Sequence, residues 1–97
     1  MNVVTKIGLM QLVKRHPGAR DAVLAWYRAV RRASWGGFHQ IRADFPSVDQ
    51  VGELLIFNIM GGSYRLIVRI SYRTQRLYVK AFLNHGEYDR KEWMKWN

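Results

Sequence analysis

The chain has 97 residues, 48% of them hydrophobic and 13% aromatic, which is enough for one modest core and too short for a second domain, so residues 1–97 are expected to form a single domain. Sixteen Lys and Arg against seven Asp and Glu give a net charge of +9, which points to a polyanionic partner, nucleic acid first and an acidic protein second. The absence of cysteine excludes disulfides and thiolate–zinc sites, and neither a membrane-length apolar run nor a signal peptide is visible, so the chain reads as cytoplasmic with no membrane partner.

Residues 2–4 predict a short opening strand, after which Thr5 is placed to cap a helix running to about Arg15. Leu9, Leu12, Val13 and His16 share one face of it. Pro17 disfavours the α conformation at His16 and so ends that helix, then opens a second one that reaches about Ala33. There Val23, Trp26, Val30 and Ala33 form an apolar stripe while Arg20, Arg28, Arg31 and Arg32 lie elsewhere, giving the helical hairpin its own basic face. Gly36-Gly37 closes this region. Residues 38–51 sustain no period, and Phe45-Pro46-Ser47 between Asp44 and Asp49 reads as a connecting loop with a short helical turn at most.

Beyond Gly52 the spacing alternates, and strands are predicted at residues 53–59, 64–72 and 76–84. The links Met60-Gly61-Gly62-Ser63 and Arg73-Thr74-Gln75 are tight, which makes the three strands an antiparallel meander. Helical spacing returns over residues 85–94. Asn84 and Glu87 have the spacing of a capping box, so His85 becomes the first helical residue, and Trp93 and Trp96 are expected to dock the helix on the core, with interface anchors as the other reading.

Residues 54–86 contain five basic residues, Arg65, Arg69, Arg73, Arg76 and Lys80, and no acidic one. Strand parity puts Tyr64, Leu66, Val68, Ile70 and Tyr72 on one face and Arg65, Ile67, Arg69 and Ser71 on the other. On the next strand Leu77, Val79, Ala81 and Leu83 would pack on the helices, leaving Tyr78, Lys80 and Phe82 outward. The product is a cationic, aromatic-lined surface suited to single-stranded RNA, since guanidinium groups bind phosphate and rings stack on bases. Parity alone fits equally well a solvated sheet face with long basic side chains lying over apolar rings. A single His at a helix start is more often a capping or packing residue than a catalyst. The chain lacks a phosphate-binding Gly-rich loop followed by Lys-Ser/Thr, and its histidines at 16, 39 and 85 lie far apart without a carboxylate pattern, so no metal site is expected.

Phe57-Asn58-Ile59 before a Gly-containing turn, Tyr64-Arg65-Leu66-Ile67-Val68 on the next strand, and the terminal His85-Gly86-Glu87-Tyr88-Asp89 together resemble the HigB-type toxins of the RelE-like group, from type II toxin–antitoxin pairs. A looser likeness extends through the helical hairpin and Phe45-Pro46-Ser47. The chain departs from the family pattern at Ser63, where Asn is usual, and at Asn84, where Thr is usual. The resemblance implies an α+β fold in which an N-terminal helical hairpin packs on a twisted, mainly antiparallel sheet with a short C-terminal helix, the other sheet face being left for RNA.

It further implies a metal-independent, cofactor-free endonuclease that cuts mRNA on the ribosome through the RNA 2′-hydroxyl, inhibits translation, and is neutralised by a cognate HigA-type antitoxin. Position by position, Arg65 is matched to the scissile phosphate, Lys80 to a second basic role, and His85 and Tyr88 to proton transfer or base stacking. Arg69, Tyr78, Arg73 and Arg76 are the further RNA-contact candidates. The residues by themselves also suit a non-catalytic RNA- or ribosome-binding module, or a domain whose basic face docks an acidic helix.

Overall fold

A computed structural model of the protein describes residues 1–96; Asn97 and the side chain of Trp96, with the expected docking of that indole, lie outside the described residues. In chain order the elements are β1 (Asn2–Val3), α1 (Lys6–Val13), α2 (Arg20–Arg32), α3 (Phe38–Asp44), β2 (Asp49–Val51), β3 (Leu54–Ile59), β4 (Tyr64–Ser71), β5 (Arg76–Asn84) and α4 (His85–Asp89). Short 3-10 turns cover Pro17–Ala19 and Glu92–Trp96. The sheet has the order β1-β5-β4-β3-β2, antiparallel throughout except that β1 runs parallel to β5. This is the α+β architecture expected.

Thr5 precedes α1 but does not cap it with its side chain. Its hydroxyl oxygen instead accepts from the Val79 N–H at 2.8 Å, continuing the β1–β5 pairing beyond the end of β1. As Pro17 dictates, α1 stops short of it, and α2 buries Val23, Trp26, Tyr27 and Val30. The predicted loop at 38–51 holds both a helix and a strand. α3 is anchored by Ile41 and by a 2.9 Å bond from the Trp35 indole to Asp44, while β2 pairs with β3 across a turn at Gly52 with φ 59°. One fully buried position in seven residues, and three residues of strand, produce no readable period.

Val3, Leu55, Phe57, Ile59, Leu66, Val68, Leu77 and Phe82 form the sheet's contribution to the main core, against Leu9 and Val13 of α1 and the buried stripe of α2. A β-bulge then changes the parity of β5. Ile67 faces Ala81 but Val68 faces Val79, so Lys80 is the extra residue on β5. The expected alternation is correct up to Val79 and inverted after Lys80. Phe82 turns to the helix side, stacking on Tyr64 at 5.1 Å with His16 beside both, and Ala81 and Leu83 turn to the opposite face.

That opposite face is not left open as expected. α4 ends at Asp89, and Lys91, at φ 60°, turns the chain so that Trp93 settles on Leu54, Ile56, Ile67 and Ala81. Trp93 is 4% exposed. A second small core therefore covers the centre of the sheet face on which parity places the arginines. No helix among the described residues is long and apolar enough to cross a membrane.

Candidate active site

Arg65 and Asn58 are cross-strand neighbours on β4 and β3, on the sheet face that carries Trp93. The Arg65 guanidinium donates to the Gly62 carbonyl in the preceding turn and lies 5.0 Å from the centre of the Tyr88 ring. Gly62 is required there: its φ is 96°, and a Cβ would stand 3.1 Å from Arg65 Nη1. The basic side chain is thus held from below by a turn and from the side by an aromatic ring.

Tyr88 is placed by α4, which begins with the predicted capping box. The Glu87 N–H donates to Asn84 Oδ1 at 2.8 Å, and the Asn84 N–H donates to Glu87 Oε1 at 3.1 Å. The Tyr88 ring stacks on Trp93 at 5.1 Å with 8° between planes, and the Trp93 indole donates to the Tyr88 carbonyl at 2.9 Å. Trp93, expected to dock the last helix, therefore also fixes a residue of the cleft.

Around Arg65 and Tyr88 opens a cleft of about 300 Å³ whose polar walls are completed by Arg42, Ser47, Asp49 and Asn58. The Asn58 amide donates to the Ser47 carbonyl at 3.4 Å. Two guanidinium groups outnumber the single Asp49 carboxylate in one open cleft, and with an amide and a phenol they can hold a phosphodiester and offer hydrogen bonds to a base. Arg42, Ser47, Asp49 and Asn58 are absent from the sequence-derived set. Asn58 carried a signal, because alternation along β3 places it on the face of Leu54 and Ile56. Arg42 carried none, since it arrives on a helix the sequence does not announce.

The other expected site residues are dispersed. His85 does not line the cleft; its side chain is 65% exposed and Nε2 lies 3.1 Å from the Asp89 carboxylate one turn on. Lys80 is exposed on the bulge. Arg69 lies toward the other end of β4, beyond Trp93, where Nη2 donates to Glu53 and where a separate cleft of about 330 Å³ includes Gln50, Ser71 and Tyr72. Burial pushes the Tyr72 phenol above its ordinary value. Tyr78 is half-buried across from Arg69, and Arg73 and Arg76 are exposed at that same end. The single cationic surface expected from parity is thus two arginine-bearing regions separated by an indole. Among the described residues, no three or more His, Cys, Asp or Glu side chains gather as a metal site would need.

A sequence model of the HigB toxin family, described as the RelE-like toxic component of a toxin–antitoxin system, matches residues 19–91, a span that includes every residue of the Arg65 cleft. The mRNA interferase HigB of Escherichia coli O6:H1 strain CFT073 is 24% identical over 93 residues, covering 93% of this chain and 90% of that protein. The mRNA interferase toxin HigB of Escherichia coli K12 is 23% identical over 92 residues, covering 92% and 88%, and the mRNA interferase HigB of Shigella flexneri matches to the same extent. With a family match across most of its length and the α+β fold that the family implies, this chain belongs to the HigB family of RelE-like toxins.

Proposed function

We propose that this toxin is an endoribonuclease that cuts mRNA on translating ribosomes, with the scissile phosphate held at Arg65 in the cleft between β4, α3 and α4. The observation that carries the reading is the fixed Arg65 guanidinium, oriented by the Gly62 carbonyl and the Tyr88 ring at the wall of an open, polar cleft. The names of the relatives as mRNA interferases support the same substrate.

In such a reaction the RNA 2′-oxygen attacks the adjacent phosphorus and the 5′-oxygen of the next nucleotide leaves, giving a 2′,3′-cyclic phosphate and a 5′-hydroxyl. Three tasks follow: removing the 2′ proton, stabilising the phosphorane charge, and protonating the leaving oxygen. Arg65 takes the charge, assisted by Arg42. Tyr88, whose ring is engaged by Trp93 and Arg65, has its hydroxyl to offer in the cleft, and His85, outside the cleft walls on the same helix, is the second proton carrier where the bound RNA strand runs past α4 to meet it. Lys80 holds the RNA backbone nearby, and Arg69, Tyr78, Arg73 and Arg76 guide the strand farther along once phosphate displaces Glu53 from Arg69. No step calls for a metal or cofactor. A cytoplasmic location and neutralisation by a HigA-type antitoxin complete the proposal.

Induced expression in a bacterial host with mapping of RNA ends tests it. Growth arrest with new ends inside translated messages is the expected result. Salt-sensitive RNA binding without any new ends would instead assign the chain to non-catalytic binding.

A further inference from the structure

The outer surface of α2 is divided into two unlike flanks. At about 100° per residue, the buried stripe of Val23, Trp26, Tyr27 and Val30 leaves Ala22, Ala25 and Ala29 along one flank and Arg28 and Arg32 along the outer ridge beside it, with Asp21 on the same ridge two turns before Arg28. Arg20 and Arg31 fall on the other flank, where Arg31 lies 5.9 Å from the Tyr27 ring. The alanine flank borders a groove of about 330 Å³ walled by Ala22, Ala25, Trp26, Phe45, Ile59 and Met60. Met60 is 48% exposed, in a turn it enters at φ 54°. Trp26 is 3% exposed, and its indole N–H has no acceptor among the described residues. An apolar trough and an arginine ridge thus run side by side.

We propose that this groove docks an acidic amphipathic helix of the antitoxin, an inference that rests on the chain being the toxic member of a pair and not on how it cuts RNA. Alanines at 22 and 25 allow a second helix to approach closely, with its apolar side chains entering against Phe45, Ile59 and Met60. Carboxylates on its edge meet Arg28 and Arg32. RNA is a poor occupant because the walls are mainly carbon. A second copy of the chain is a poor one because each carries +9 and would bring the same arginine ridge. Asn58 borders both this groove and the Arg65 cleft, so the docked helix lies next to the candidate active site.

The test uses the full chain with the antitoxin that co-purifies when both genes are expressed together, comparing Ala25→Arg, the pair Arg28→Glu and Arg32→Glu, and the opposite-flank pair Arg20→Glu and Arg31→Glu. Both groove variants should bind the antitoxin at least about 10-fold more weakly, and the opposite-flank pair within about 3-fold of the parent. The Trp26 indole N–H resonance should shift on complex formation, while RNA cleavage by the free groove variants stays within about 2-fold. If Ala25→Arg fails to fold, the exposed Arg28/Arg32 pair carries the test. Unchanged affinity in that pair, equal loss in the opposite-flank pair, or dimerisation of the free chain through the groove would overturn the proposal. Failure of the endonuclease reading would appear differently, as an intact complex whose free toxin leaves RNA uncut.

Discussion

Arg65 already has a hydrogen bond and a ring contact, so its position would cost little to organise in the proposed reaction. Arg65→Ala should lower cleavage of ribosome-bound message by about 10²–10³-fold with little change in melting temperature, the loss typical of removing a charge-stabilising donor. Gly62→Ala tests the same arrangement indirectly. It should cost about 1 kcal/mol of stability and depress cleavage by displacing the guanidinium, both read from one preparation by melting and by assay. His85→Ala leaves no core cavity, because the residue is exposed. If His85 carries a proton, cleavage falls by about 10²–10⁴-fold while RNA binding survives, whereas activity within about 3-fold of the parent moves that task to Tyr88. Arg65 was legible from strand parity because a side chain on an unbroken stretch of strand can point only one of two ways. Arg42 was not, since nothing local to residues 38–44 encodes which distant strand they lie against.

At the scale of elements, the bulge at Lys80 marks where alternation stops predicting the structure. A single extra residue reverses every later side chain, and only the pairing of β4 with β5 reveals it. The capping box was legible because it is a local pattern, complete within four residues. Asn84→Ala should therefore cost about 1 kcal/mol, measurable as a lower midpoint in urea with an unchanged slope. Trp93→Ala should cost more, about 3 kcal/mol, because it empties the second core. It should also reduce cleavage, since Tyr88 loses the indole it stacks on. A variant that melts early but cuts RNA at the parent rate would show that Tyr88 needs no such support.

For the whole molecule, a net charge of +9 with two separated arginine regions predicts RNA affinity that falls steeply with salt. Charge reversal at Arg65 or Lys80 should weaken RNA binding more than reversal at Arg20 or Arg28, in filter binding at two salt concentrations. Equal losses would mean that charge acts as a diffuse field and not through the sheet. The helix-then-strand order of the chain was readable, but the partner of the first strand was not, because β1 joins β5 across nearly the whole sequence. Thr5 and Val79, which continue that pairing, stand 74 residues apart. At about 5–20 residues per second, several seconds of translation separate their synthesis. Through that interval the emerging amino-terminal strand has no neighbour, and α4, which supplies Tyr88, is made later still. The nascent chain therefore reaches its ribosome's exit without a complete cleft, and a message broken upstream of codon 85 yields a product with no Tyr88 to hold Arg65. A cleft assembled in this order is complete only once α4 has left the ribosome and closed over Arg65.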